Sequence, residues 1–283
     1  MSTPAEPKSR FSIVRSCITM WGIVRAILKN RFVLYVISVV CFLYVWDFIA
    51  VHRVFGSYMP RLVEVISKLG SMMAEPLATK TLLEHVWASL SRVLIGFLLA
   101  VVTGVALGLF MALNRHVNAF VRPVFDLLKP MPPIAWISLS ILWFGIGETS
   151  KVFIIWVGAV VPCVINAYNG IRLIDPELYD VVRMLGGKPR DEAVEVVMPA
   201  AFPAIFAGIQ ISLSSAWACV VAAELVAARS GIGFIINLGM NLSEPSMIVG
   251  GMAIIALIAW VIALSVEWLE RWLCPWKREL LNG

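Results

Sequence analysis

Charge is scarce in this sequence: 14% of its 283 residues are Asp, Glu, Lys or Arg, against about 25% in soluble globular proteins. Chemistry-bearing groups are scarce as well. The five cysteines (Cys17, Cys41, Cys163, Cys219, Cys274) contain no CxxC pair. They read as small apolar fillers, not as a disulfide or metal framework. The three histidines (His52, His85, His116) each fall outside the apolar runs and are expected in loops, which excludes a buried imidazole cluster. There is no Walker A loop. Its nearest approach, Gly187-Lys188, continues into Pro189 where Ser or Thr is required, and Val182 stands in place of the first glycine. No Ser/His/Asp or HExxH pattern is present, and no repeat of about 20–50 residues. These absences leave neither an ATPase site nor a catalytic centre, and nothing that calls for a metal or a cofactor on the chain.

Apolar residues are what the chain does have, at 60% of the total. They gather into runs of about 20 residues, the length a helix needs to cross roughly 30 Å of hydrocarbon. Six spans are predicted, at 32–51, 87–113, 133–147, 152–171, 201–223 and 247–268. The third follows Lys129-Pro130-Met131-Pro132-Pro133 and is short. Residues 1–31 form a polar tail and an amphipathic helix lying on the membrane, with Ile13, Val14, Cys17, Trp21, Val24 and Leu28 on one face. Residues 32–270 form the membrane domain and 271–283 a tail. Pro60 opens a short amphipathic stretch (Leu62, Ile66, Leu69, Met73), and Thr81 with Glu84 reads as a capping box for the second span. Basic residues outside the spans divide sixteen to six in favour of the side that holds both termini. By the positive-inside bias that side is cytoplasmic. The net charge of +5 therefore reflects topology, not nucleic-acid binding.

Within these boundaries the interior is nearly uncharged. Asp47, Arg92 and Glu267 lie near span ends, and the third, fourth and fifth spans hold no charge. A carrier driven by protons or sodium would place an ionisable group at mid-depth. The polar groups there are Ser138, Ser140, Asn166, Gln210, Ser212, Ser214 and Ser215. Ordinary helix packing accounts for most of the serines. Gln210 and Ser214, at i and i+4 on one face, and Asn166 are the candidates for lining a path. Arg92 either meets an entering anion or pairs with Asp47 or Glu224. Glu224 either contacts a partner or caps the junction that follows its helix. The Gly231-Ile232-Gly233 turn is expected in an outer loop.

The longest inner loop, 172–200, is different. Asp175, Pro176 and Glu177 form a helix start, with a capping carboxylate, a proline in the first turn and a second acid at the positive end of the dipole. Leu178, Val181, Val182 and Leu185 then fall at i, i+3, i+4 and i+7, while Glu177, Asp180 and Arg183 lie off that stripe. Gly186-Gly187 stops this helix. A second helix is predicted from Arg190 to Met198, ended by Pro199. Two short helices at a glycine elbow either pack on the bundle's own underside or form a rigid element offered to a soluble partner.

The stretch from Asp180 through Gly186 to Val196-Val197-Met198-Pro199 resembles the "EAA" loop of ABC-importer permeases, EAA-x3-G-x9-I-x-L-P. Asp180-Val181-Val182 replaces the Glu-Ala-Ala triplet, and Val196 and Met198 replace Ile and Leu. Ser89-Leu-Ser-Arg92-Val-Leu-Ile-Gly96-Phe97, Pro130-Met-Pro132-Pro133-Ile-Ala135, Trp143-Phe-Gly-Ile-Gly147-Glu-Thr-Ser-Lys151 and Ala223-Glu224-Leu225 resemble the nitrate/sulfonate/taurine branch. The branch's P-x-P after the first span is blurred here, at Tyr58-Met59-Pro60. The resemblance implies an all-α, bacterial inner-membrane protein with a type I importer permease fold. It implies a translocation path shared with a second copy, and a periplasmic or lipid-anchored binding protein that delivers a small anion. It also implies two cytoplasmic ATP-binding subunits, which hold the ATP and Mg and receive Glu177, Leu178, Asp180, Val181, Val182, Leu185, Gly186 and Pro199. A secondary carrier or channel acting alone is the alternative, and a membrane enzyme or assembly scaffold a third class.

Overall fold

The computed structural model describes residues 31–54 and 56–274. The amphipathic segment expected at 10–30 and the end of the chain beyond 274 lie outside the described residues. The rest divides into two units, one running through Val65 and one beginning at Ile66. All the regular elements among the described residues are helical.

In the first unit, α1 (Arg31–Val51) is apolar on every side and long enough to cross a membrane. The Trp46 indole donates to the Pro60 carbonyl at 3.1 Å. Asp47 pairs with Arg61 at 3.3 Å. The amphipathic stretch after Pro60 is a helix, α2 (Leu62–Ala74), as its period predicts, and it runs across the unit boundary.

The second unit is built on three long helices. α3 (Leu82–Leu113) opens with the predicted capping box: the Thr81 hydroxyl accepts from the Glu84 amide while the Glu84 carboxylate accepts from the Thr81 amide at 2.6 Å. α6 (Glu148–Arg172) and α8 (Met198–Ala227) pack beside it. Val93, Phe97, Ala100, Ile155, Ala159, Leu213, Ala216 and Val220 fill the space between them. Lipid offers no hydrophobic drive for this association, so close packing must supply it. At Gly96 and Gly104 a Cβ would come within 2.7 Å of Ile155 and Cys163 side-chain atoms of α6. The Ser212 hydroxyl donates across to the Ala159 carbonyl at 2.6 Å. After α8 come α9 (Ile232–Asn241) and α10 (Pro245–Leu273).

The predicted boundaries need three corrections. The third span is not one segment over 133–147. Its apolar part is α5 (Trp136–Phe144), and α4 (Arg115–Leu128) precedes it across a bend of 80° at the proline-rich junction. The Asn114 side chain caps α4 by accepting from the His116 and Val117 amides, which the reading of 115–132 as a plain inner segment missed. Among the described residues five helices are long and apolar enough to cross a membrane, or six candidates if this bent pair is counted as one span. The fourth and fifth spans are longer than predicted and do contain charge: Glu148 and Lys151 belong to α6, and Glu224 to α8. His85 is helical and fully buried, not in a loop.

Candidate functional site

Two constructions stand out, at opposite ends of α6, which at 1.5 Å per residue is about 36 Å long.

The first is the loop after Arg172. Asp175 caps α7 (Pro176–Met184) by accepting from the Glu177 amide at 3.1 Å, with Pro176 in the first turn. The helix ends in a Schellman arrangement. The Gly186 amide donates to the Arg183 carbonyl at 3.0 Å, and the Gly187 amide reaches back to that of Val182 at 2.9 Å. Gly186 sits at φ +80, a conformation that costs a residue with a Cβ about 1–2 kcal/mol. The chain then turns through Pro189–Asp191 into a π-helical stretch, Glu192–Val197, and runs unbroken into α8. The predicted end at Pro199 is therefore wrong. Pro199 cannot donate and would clash in a regular ladder. The π turn shifts the hydrogen-bond register just ahead of it, so the helix passes through. The second arm of the elbow is thus the foot of a spanning helix. Arg183 of α7 bridges the elbow to Glu192 at 2.8 Å, and Asp180 stands beside it at 3.7 Å. No residue of α7 is buried. Leu178 and Val181 are half exposed, and Met184 and Leu185 are 86% and 84% exposed. Val182 is partly covered and faces Gly187.

The second construction is buried. His85, Ser89 and Arg92 stand at i, i+4 and i+7 on α3 and share one face. Arg92 is 3% exposed and spends every N–H it has. Nη1 donates to Glu224 Oε1 at 2.5 Å and to the Ser230 carbonyl at 2.7 Å. Nη2 donates to Glu148 Oε1 at 2.8 Å and to Ser230 Oγ at 3.0 Å, and Nε to Glu148 Oε2. Glu224, 1% exposed, also accepts from Ser89 Oγ and from the Gly233 amide, each at 2.8 Å. The Ile232 amide donates to Ser89 Oγ at 2.8 Å, and the Gly231 amide to His85 Nδ1 at 3.1 Å. His85 Nε2 donates to the Leu77 carbonyl at 3.2 Å, which places the ring proton on that nitrogen. The amides that open α9 have no partner within their own helix. Here acceptors on two other helices satisfy them. A Cβ at Gly231 would lie 2.3 Å from the Glu224 carboxylate. The Gly231–Gly233 turn is a socket for that carboxylate. Of the two partners expected for Arg92, Glu224 is found, and Asp47 binds Arg61 instead.

The path candidates are not brought together. Arg92 is bound to the first turn of α6, while Asn166 lies about 27 Å further along that helix and donates to the Pro162 carbonyl at 2.9 Å. Gln210 donates to the buried Glu270 of α10 at 2.7 Å. The Ser214 hydroxyl reaches the Gln210 carbonyl at 3.5 Å. A cavity of about 730 Å³ opens instead among α4, the Pro132-Pro133 bend, α6 and α8, walled by Phe125, Trp136, Phe153 and Trp156. None of Asn166, Gln210, Ser214 and Arg92 lines it, and Lys129 is the one charged side chain that does. The sequence holds Ser89, Glu148 and Lys151 within motifs shared with the branch but assigns them no role there, His85 was expected in a loop, and Ser230 and Glu270 were not singled out. The polar face at 85, 89 and 92 was the available signal.

Residues 104–279 match the family described as binding-protein-dependent transport system inner membrane component. The chain is 31% identical to the taurine transport system permease protein TauC of Escherichia coli, over 83% of this chain and 86% of that one. It is 31% identical to the nitrate import permease protein NrtB of Synechococcus elongatus, over 81% and 88%. To the bicarbonate transport system permease protein CmpB of the same species it is 34% identical, over 66% and 67%. Among solved structures, the MetNI methionine ABC transporter in an inward-facing conformation superposes with a TM-score of 0.57 at 17% identity, over 67% of this chain and 94% of that one. That likeness extends to the fold. With an all-helical membrane architecture and no ATPase motif, the chain belongs to the family of binding-protein-dependent transport inner membrane components, the permease subunits of ABC importers.

Proposed function

We propose that two copies of this chain enclose a translocation path for a small anion, driven by cytoplasmic ATP-binding subunits that grip the elbow at Pro176–Met184. One observation carries this reading. A short, doubly capped helix presents Leu178, Val181, Met184 and Leu185 to solvent on a rigid turn, and its second arm is continuous with spanning helix α8. An exposed apolar helix face of this kind fits a groove on a partner. Because the π-helical foot joins it to α8, displacement of α7 is transmitted into the bundle without a flexible joint. Closure of the ATPases would then favour one orientation of the cavity, and hydrolysis would reset it.

On this reading both termini are cytoplasmic, ATP and Mg reside on the partner subunits, and a solute-binding protein docks on the face opposite the elbow. Nitrate and bicarbonate, named for two relatives, and the sulfonate group of the taurine named for a third support a solute that carries a small oxyanion group. Substituting Leu185→Asp or Val181→Asp places a charge on the docking face. The expected result is loss of solute-driven ATPase stimulation and of uptake in proteoliposomes containing the full assembly, with membrane insertion unchanged. Normal uptake by both variants would overturn the docking role.

A further inference from the structure

α4 has properties that a translocation role does not use. Its 14 residues extend about 21 Å, too short for the roughly 30 Å hydrocarbon layer, and it meets α5 at 80°. None of its residues is buried. Arg115 and Arg122 repeat at a seven-residue interval on one face, which Lys129 at its C-cap continues. Phe120 and Leu127 lie on the other side, 82% and 68% exposed. An amphipathic helix with cations on one face and large apolar side chains on the other lies in the plane of a membrane surface.

The last turn of α6 adds a second basic element. The Arg122 and Arg172 guanidinium carbons each stand 5.9 Å from the centre of the Tyr168 ring. Arg122 Nη1 reaches the Tyr168 hydroxyl at 3.4 Å, and Asn118 Nδ2 reaches it at 3.5 Å. Asp126 is the one acid on α4, and it is shared between Arg122 at 3.4 Å and Lys129 at 2.7 Å. Arg172 makes no ion pair among the described residues. Two arginine forks held beside one tyrosine, with a lysine flanking and one carboxylate among them, leave positive charge uncompensated. Planar guanidinium groups suit phosphate oxygens, which accept paired hydrogen bonds from them. The exposed Phe120 and Leu127 favour a phosphate that arrives attached to an acyl chain.

We propose that α4 lies along the membrane surface on the side of the elbow, and that Arg122 and Arg172 bind the phosphate of an anionic phospholipid against Tyr168. The site makes the lipid a ligand of the hinge region between α4 and α6. It holds whichever leaflet the elbow faces, so it stands independently of the proposed orientation.

Native mass spectrometry of the purified chain, supplied with equal phosphatidylglycerol and phosphatidylcholine, tests this. The expected result is about tenfold preferential retention of phosphatidylglycerol. Arg122→Ala with Arg172→Ala should reduce it to the phosphatidylcholine level, and Arg122→Lys with Arg172→Lys should keep only part of it, because an ammonium group cannot make the paired hydrogen bonds. If the double alanine variant does not fold, Arg172→Ala alone, at an exposed position, should lower retention several-fold. Equal retention of the two lipids by the unaltered chain would overturn the proposal, as would unchanged retention by a folded alanine variant. Glycerol 1-phosphate at millimolar concentration should not displace the lipid, and efficient displacement would assign the site to a soluble phosphate instead. Crosslinking between copies through Phe120→Cys would overturn the in-plane placement, because α4 would then be an interface.

Discussion

At one end of α6, Glu148 joins a buried set of groups from three other segments, in which every Arg92 N–H has an acceptor. At the other end, Arg172 leads into an elbow with no buried residue on its first helix. The first region gives α9 its starting point by lending it distant caps. The second holds its own shape through local caps and lends its apolar face to something else. A region fixed by long-range polar bonds breaks when one partner is removed. A region fixed by local caps keeps its shape and loses only what it contacts.

The largest expected effect follows from removing half of the buried pair. Arg92→Ala leaves the Glu224 carboxylate buried without a cation, and Glu224→Ala takes the acceptor from the Gly233 amide and leaves Arg92 with Glu148 as its remaining carboxylate partner. Each should cost about 3–5 kcal/mol, seen as a lowered Tm and a reduced yield of monodisperse protein in detergent. Replacing both residues with methionine should recover much of this loss, since a buried ion pair adds little net stability over apolar packing. No recovery would mean that the attraction itself holds α9 in place.

The same change at two glycines sharpens the contrast. Gly231→Ala meets both φ +120 and the Glu224 carboxylate 2.3 Å away, whereas Gly186→Ala meets φ +80 and open space. The first should lower Tm clearly, by an amount comparable to the loss of a network partner. The second should cost about 1–2 kcal/mol of local strain and act mainly on coupled ATPase activity. If the two variants unfold alike in thermal melts, the elbow is more deeply integrated than its exposure indicates. Leu185→Asp, at a side chain 84% exposed, should change stability by less than about 0.5 kcal/mol while abolishing uptake.

These two regions were unequally legible in the sequence. The elbow was nearly complete there, because its determinants are local: the Asp175 cap, Pro176, the stripe at 178, 181, 182 and 185, and the glycine pair. Its one error came from treating Pro199 as a terminator, since a π turn is not visible in composition. The buried network was largely hidden. Spans delimited by apolar runs stop short of charged residues, so Glu148, Lys151 and Glu224 fell just outside the predicted helices and His85 just before one. Arg92 stands 56 positions from Glu148 and 132 from Glu224, and His85 stands 146 from Gly231. No local pattern links such residues, although a polar face at 85, 89 and 92 on an otherwise apolar helix is a costly arrangement that calls for partners. The bend after Lys129 was marked by its prolines, but α4 went unrecognised because Pro123 sits inside it.

The smallest effect concerns the bridge between the arms of the elbow. Glu192 beside Arg183 raises that guanidinium further above its ordinary range, so rising pH does not take the charge from Arg183. Salt screens the contact instead. At about 1 M ionic strength the screening length falls to about 3 Å, close to the 2.8 Å of the contact itself, and an exposed pair in that medium contributes little. Arg183→Ala should therefore leave Tm unchanged. Amide exchange across Gly187–Val197 should rise several-fold, and high salt should reproduce that rise in the unaltered chain but not add to it in the variant. Unchanged exchange in both cases would assign the rigidity of the elbow to the glycine cap and the π-helical foot alone, and the coupling role would then rest on backbone geometry without help from charge.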